Sequence, residues 1–250
     1  MSAPHGLAAP RRRFFVLPQS LDGDLVVFAS KETHHIVHVL RLRPGARVMV
    51  FDGRREAEVE LHTVGESGVT GVRAGPVRPS ARSVEIALLQ GVARGPKMDL
   101  IVRMGTEIGL SAVHPVLTSR SVADPGPARL DRWRRIAQEA AKQCGRADLP
   151  DIHAPARLDD ALAAAGPTDL LVVPWEDERR PLGDVIAGRP FAAAGILIGP
   201  EGGLTADEVA AARGAGGETV SLGSLILRTE TAGLVTAAML LYERLLRPAR

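Results

Sequence analysis

Apolar and polar positions change rhythm partway along the chain. In the first third, apolar residues come in brief runs rich in Val and Phe, at 14–17, 25–28, 47–52, 56–64 and 69–74. Runs of that length and make-up predict strands. Asp52-Gly53, between the third and the fourth, is the chemistry of a tight hairpin turn. One helix interrupts the strands: Ser30 offers a side-chain N-cap, Ile36, Val39 and Leu40 fall on one face, and Pro44-Gly45 stops it. Short antiparallel strands in so small a segment predict a compact barrel. Residues 76–83, with two prolines and no apolar pattern, read as a linker.

From residue 84 strands and helices alternate. Strands are predicted at 84–89, 113–117, 170–173, 195–198 and 219–222. A helix over Lys97–Ile108 buries Ile101, Val102, Gly105 and Ile108 and is closed by Gly109. Asp131 caps a second helix, whose Trp133, Ile136, Ala137, Ala140 and Cys144 form one stripe ended by Gly145. The last helix runs from about Glu230 to Leu246. Such alternation means an α/β fold with a mostly parallel sheet and its ligand at the carboxyl ends of the strands. The expected division is a barrel over 1–78 and an α/β domain over 79–250.

Composition modifies this picture in two places. The chain has 250 residues, 45% of them hydrophobic, enough for a real core. Its 31 Lys+Arg against 29 Asp+Glu leave a charge of only +2, which by itself does not suggest nucleic acid. Residues 1–78 hold 11 basic and 8 acidic residues, a net +3, and the remainder 20 and 21, a net −1. The excess is therefore confined to the barrel segment, as for an RNA-facing module on a near-neutral body. On charge alone, a genome favouring Arg, Ala, Gly and Pro codons is the preferred explanation of the arginines, and the Ala-rich stretches 161–165 and 210–212 agree with it. The single cysteine, Cys144, excludes internal disulfides and cysteine-based zinc knuckles and fits a reducing compartment. The apolar stretch 232–242 is too short to span a bilayer, and the one after Arg11–Arg13 too short for a signal-peptide core. A soluble cytoplasmic protein with no membrane partner is the expectation.

Two loops carry candidate chemistry. An apolar strand runs into Gly199, Pro200, Glu201, Gly202 and Gly203, after which Thr205 and Glu208 form a capping box. The glycines leave backbone amides bare beside a ligand at a sheet's carboxyl edge. An ordinary βα turn has the same composition, but the chain contains neither a dinucleotide fingerprint nor a Walker loop. The second loop, 221–229, holds the apolar triplet Leu225, Ile226 and Leu227 before Arg228, Thr229 and Glu230. Apolar residues in a turn suggest a pocket for something flat and uncharged, such as adenine. Thr229 also has the chemistry of a simple cap for the last helix, with Glu230 at its positive end. Of His34, His35 and His38, positions 34 and 38 share a helix face, but no cysteine and only Glu32 stand close in sequence, so a solvated or base-contacting helix is preferred over a metal site. No nucleophile elbow occurs, and Cys144 on its buried stripe reads as a structural thiol.

With these loops in hand, the sequence resembles the RsmE family of 16S ribosomal RNA uracil-N3 methyltransferases, within the SPOUT superfamily. Arg13-Phe14-Phe15 and HIVHVLR (35–41) are similar to its N-terminal motifs. Lys97-Met98-Asp99 with Thr106–Gly109 is similar to its first methyltransferase helix, Arg120-Ser121 to a basic turn, and WRRIAQEAAKQCGR (133–146) to a later helix. IGPEGG (198–203) and LRTETA (227–232) are the most specific matches. The chain departs from the pattern at Met104, Ser119, Cys144 and Leu225, outside both of those motifs.

The resemblance implies a SPOUT-type methyltransferase domain with a trefoil knot behind a small PUA-like β-barrel. It implies a homodimer whose sites are completed by the partner chain, with the small residues Gly233, Ala237 and Ala238 of the last helix suited to close packing there. S-adenosyl-L-methionine would be held by Ile198, Gly199, Pro200, Glu201, Gly202, Gly203, Leu222, Gly223, Ile226, Leu227 and Thr229. The substrate would be 16S rRNA of the small ribosomal subunit, contacted by Arg13, Arg41, Arg43, Lys97, Arg120 and Arg146, and no metal is expected. Methylating uracil N3 requires loss of the imide proton, so Arg228 is the expected anion-stabilising cation and Glu230 or Glu201 the proton acceptor. Two other readings stay open: a related SPOUT enzyme acting on ribose 2′-hydroxyls or another RNA, and a non-catalytic RNA-binding assembly factor.

Overall fold

The computed structural model describes residues 12–80, 82–121 and 125–246; Arg11, and Ala81 of the expected linker, lie outside them. The described residues form two compact units, one of 12–80 with Ala141–Leu149, the other of the remainder.

The first unit is built on strands β1 (Arg13–Phe15), β2 (Leu25–Val27), β3 (Arg47–Phe51), β4 (Arg55–Gly65), β5 (Gly68–Arg73) and β6 (Arg78–Pro79). Their order is β1-β3-β4-β5-β2 with β6 on β4; β1 lies parallel to β3 and the other pairs are antiparallel. Period-two alternation sends Val48, Val50, Ala57, Val59 and Leu61 into one core with Phe14, Val26, Phe28 and Ile36. The predicted hairpin forms. Gly53 takes φ +95°, and Asp52 Oδ1 accepts the amides of Arg54 and Arg55 at 2.8 and 2.7 Å.

Three expectations need correction here. The expected linker contains β6, because Arg78 and Pro79 find pairing partners in Glu56 and Arg55. Ser30 is the first residue of helix α1 (Ser30–His34) and Ala29 occupies the cap position, with no side-chain cap bond. The helix then widens into a π turn over His35–Val39, closed by the Leu40 amide on His35 O at 2.9 Å. That wider turn rotates Val39 off the Ile36 face, and Val39 is exposed.

The second unit contains β7 (Glu85–Gly91), β8 (Ala112–Leu117), β9 (Asp151–Ile152), β10 (Ala156–Arg157), β11 (Leu170–Pro174), β12 (Ala193–Ile198) and β13 (Gly217–Val220). All pairs are parallel, in the order β10-β8-β7-β12-β11-β13 with β9 on β8. The helices are α2 (Lys97–Ile108), α3 (Gly126–Cys144), α4 (Leu158–Ala165), α5 (Leu182–Ile186), α6 (Ala206–Gly214) and α7 (Thr229–Leu241). The central strands are mainly apolar because both faces are covered, with Gln90 and His114 as buried polar exceptions. Ile86, Leu88, Ile196 and Ile198 meet Ile101, Trp133 and Leu240 on one side, while Leu89, Leu197 and Val173 meet Leu158, Ala161, Val209 and Ala212 on the other. β7 and β12 are neighbours although far apart in sequence, so their loops open at a switch point of the sheet.

α2 spans the predicted residues and ends at Gly109, φ +106°. α3 begins at Gly126, ahead of the expected cap Asp131, because Pro127 is pre-organised for a first helical turn. Its stripe ends at Ala140 and Ala141, both buried, and Cys144 is exposed rather than a core thiol. α7 follows an edge strand yet packs on α2, β7 and β12. Gly233 and Ala237 serve that packing: a Cβ on Gly233 would stand 2.9 Å from Leu88 Cδ1, so these small residues face the chain's own sheet, and only Ala238 is exposed.

Candidate active site

The glycine loop lies between β12 and α6. The capping box is present in both directions: Thr205 Oγ1 accepts from the Glu208 amide at 3.3 Å, and Glu208 Oε2 from the Thr205 amide at 2.9 Å. The loop's glycines are sterically required. A Cβ on Gly199 would lie 2.7 Å from the carbonyl carbon of Gly203, and Gly203 itself has φ +72°. At the end of β7, a Cβ on Gly91 would stand 2.5 Å from Pro200 N. Arg120 packs along Gly202 and donates to its carbonyl, bracing the loop from outside.

Thr229 joins this loop to the second one. Arg228 holds the N-cap position of α7 without a side-chain bond, so Thr229 is not the cap. Its hydroxyl donates to Gly199 O at 2.6 Å and accepts from Gln90 Nε2 at 2.8 Å. Gln90 is fully buried and also donates to Gly91 O at 3.1 Å, leaving its Oε1 with no hydrogen-bond partner. A side chain bonded in this way ties together the end of β7, the glycine loop and the start of α7.

A third wall, after β11, comes from Trp175, Glu176 and Glu178. Glu178 is pushed down to about 2, chiefly by the Thr219 hydroxyl at 2.6 Å and then by the amides of Arg180 and Arg179. The three segments enclose a cleft of about 440 Å³, lined by residues 198–204, Pro174–Glu176 and Ile226–Thr229, with Lys97. A lobe of about 380 Å³ continues along residues 221–227 and shares Trp175, Glu176, Ile226 and Leu227 with it. That is the size of a nucleoside-scale site. Bare glycine backbone beside an apolar wall suits a ligand with a flat ring and polar edges. Leu225 and Ile226 are 79% and 89% exposed, so the triplet forms the rim and only Leu227 is partly covered.

Charge gathers at the mouth. Glu201 Oε1 accepts from Lys97 Nζ at 2.8 Å and from the Arg94 amide at 3.0 Å, and Glu230 Oε2 lies 3.6 Å from Lys97 Nζ. Burial alone would raise the Glu201 pKa, but Lys97 and the backbone amides outweigh it and the net shift is downward. Lys97 is raised in turn, first by its bond to Glu201. Glu230 Oε2 is buried without a hydrogen bond. Arg228 stands 4.0 Å from Glu230 Oε1 with its side chain 84% exposed.

The structure therefore brings Arg228 and Glu201 to one cleft with all the expected cofactor residues except Leu222 and Gly223, which line the adjoining lobe. Glu230 does not line it and borders it through Lys97, whose Nζ lies 3.6 Å away. The six expected RNA contacts do not stand alike. Lys97 and Arg120 are engaged within the site. In the first unit Arg13 is mostly buried, paired with Glu56 at 2.8 Å and lying over the Phe51 ring, and Arg146 is paired with Asp148. Arg41 and Arg43 are exposed and, among the described residues, have no ion-pair partner. Sequence reasoning missed Gln90, Trp175 and Glu176. Each had a signal: Gln90 is the polar residue in an apolar strand, and the other two follow directly on a strand's carboxyl end.

Comparison with known proteins bears on this cleft. Residues 80–241 match the RNA methyltransferase domain family and residues 28–61 the RNA methyltransferase PUA domain family. The chain is 30% identical to the ribosomal RNA small subunit methyltransferase E of Synechocystis over 91% of its length and 76% of that protein. It is also 30% identical to that of Bacillus subtilis, over 86% of this chain and 88% of the relative. The crystal structure of the Neisseria gonorrhoeae enzyme of that name, bound to S-adenosyl methionine, superposes with a TM-score of 0.83 at 27% identity, over 94% of this chain and 98% of the other. A chain matched along most of its length by such relatives, at 30% identity, belongs to the ribosomal RNA small subunit methyltransferase E family.

Proposed function

We propose that this chain transfers a methyl group from S-adenosyl-L-methionine to N3 of a uridine in 16S rRNA of the small ribosomal subunit. The observation that carries the reading is the Thr229 junction, which sets Arg228 and Glu230 one residue either side of a bond to the glycine loop. The backbone of residues 198–203 and the walls from Leu222, Gly223, Ile226, Leu227 and Thr229 would hold the cofactor, which supplies an electrophilic methyl group. Arg228, exposed at the mouth beside Glu230, stabilises the uracil anion at O2 or O4. Glu230 is the favoured proton acceptor. Glu201 is already saturated by Lys97 and the Arg94 amide, which hold it ionised and make it the weaker base.

Several further features belong to the same reading. α7 returns from an edge strand across the loops, as a trefoil knot requires. A homodimer is supported by Met239, Tyr242 and Leu246, which stay exposed at one-face spacing along α7 and the turn after it. The barrel, 1–78, takes the RNA and the domain 79–250 the cofactor, in the cytoplasm and with no metal. Calorimetry with S-adenosyl-L-methionine, followed by methyl transfer to purified small subunits, tests the proposal. Micromolar binding with transfer supports it, and no binding points to an assembly factor instead.

A further inference from the structure

The histidines at 34–38 do not line the candidate cleft, and in the first unit they divide in space. His35 turns inward, its ring edge-on to Phe14 at 5.9 Å between centroids. His34 and His38 are exposed, their centroids 4.7 Å apart, and they border a pocket of about 260 Å³ with Val27, Phe28, Ser30 and Glu66. The helix at this point is a π turn, a form that recurs at functional sites. Just beyond it Arg41 has φ +51°, the one positive φ at a non-glycine among the described residues. Irregular backbone, a pocket and two exposed rings thus coincide within a dozen residues.

The chemistry of the pocket narrows its occupant. Among the described residues no three His, Cys, Asp or Glu side chains stand close enough to hold a metal ion. The pocket holds no lysine or arginine, and its one carboxylate, Glu66, disfavours a phosphate group. A flat, neutral ligand with N–H donors on its edge fits: imidazole faces and Val27 offer a stacking surface, and Ser30 and Glu66 offer hydrogen-bonding groups. We infer that this pocket takes one unpaired base of the RNA, with Arg41 and Arg43 on the adjacent backbone. The inference rests on the RNA-methyltransferase reading and adds to it a base-reading site within the first unit.

The test is filter binding of 16S rRNA between 50 and 200 mM KCl, with calorimetry of S-adenosyl-L-methionine alongside. A His34→Ala/His38→Ala variant should bind RNA about tenfold more weakly with the same slope of log affinity on log salt, because stacking releases no counterions. An Arg41→Ala/Arg43→Ala variant should instead flatten that slope by roughly 1.4–1.8. His34→Phe/His38→Phe should restore affinity, since it keeps the rings. Cofactor binding should be unchanged in all three. Wild-type affinity in the alanine variant, a flattened slope in it, or failure of the phenylalanine rescue overturns the pocket assignment. If the unmodified protein binds neither 16S rRNA nor purified small subunits at any salt, the methyltransferase reading fails first.

Discussion

At the scale of single residues, the site depends on a few groups whose partners are already fixed. Arg228 has almost none, and its truncation removes charge stabilisation without touching the fold. Arg228→Ala should lower kcat by roughly 10²–10³ and leave cofactor affinity near its original value, which single-turnover assays and calorimetry separate. Thr229 is the opposite case. Thr229→Val keeps the shape but orphans both Gln90 Nε2 and Gly199 O, so it should cost about 1–3 kcal/mol and weaken cofactor binding. Thr229→Ser should restore both in thermal melts and titrations. His114 lies buried on β8 with its ring stacked on His153 at 3.9 Å, and burial first, then the charge of His153, lowers its pKa from 6.5 to about 4. The unfolded chain therefore binds more protons between those values. The contribution of His114 is fully present above pH 6.5 and is lost as pH falls through 4, on the order of 3 kcal/mol in all. Urea midpoints should fall from pH 7 to pH 5, and less steeply in His114→Gln.

At the scale of elements, sequence pattern located what local chemistry decides. The capping box Thr205–Glu208, the turn at Asp52-Gly53 and the stop at Gly109 formed as read, because each needs only its own few side chains and backbone angles. Patterns failed where neighbours decide. The π turn at His35–Val39 and the pairing of β6 depend on other strands, and α3 lost its Asp131 cap to a proline four residues earlier. Cys144 was misread because a helical stripe says nothing about where its cover ends. The glycine loop is an element whose requirement can be tested directly. Gly199→Ala forces a Cβ to 2.7 Å from backbone that cannot move away, so binding of S-adenosyl-L-methionine should fall at least tenfold while the circular dichroism of the sheet is retained.

At the scale of the whole molecule, the glycine loop and the apolar-then-charged loop were visible as separate segments in the sequence. Their meeting was not, because it follows from β12 lying beside β7 and from α7 returning over both. Gln90 shows the difference. It reads as a lone polar residue in a buried strand until the parallel register sets it beside Ile198, one residue before Gly199. Charge behaved likewise. The basic excess of residues 1–78 was legible, but the structure commits Arg13 to Glu56 and leaves Arg41 and Arg43 exposed.

The central claim is the site and type of methyl transfer, and nucleoside analysis of the product tests it most directly. Small subunits lacking the modification, incubated with the protein and methyl-labelled S-adenosyl-L-methionine, should yield label in 3-methyluridine from a single position of 16S rRNA, and none with Arg228→Ala. Label in 2′-O-methylated nucleosides, or equal 3-methyluridine from the Arg228→Ala protein, would contradict it.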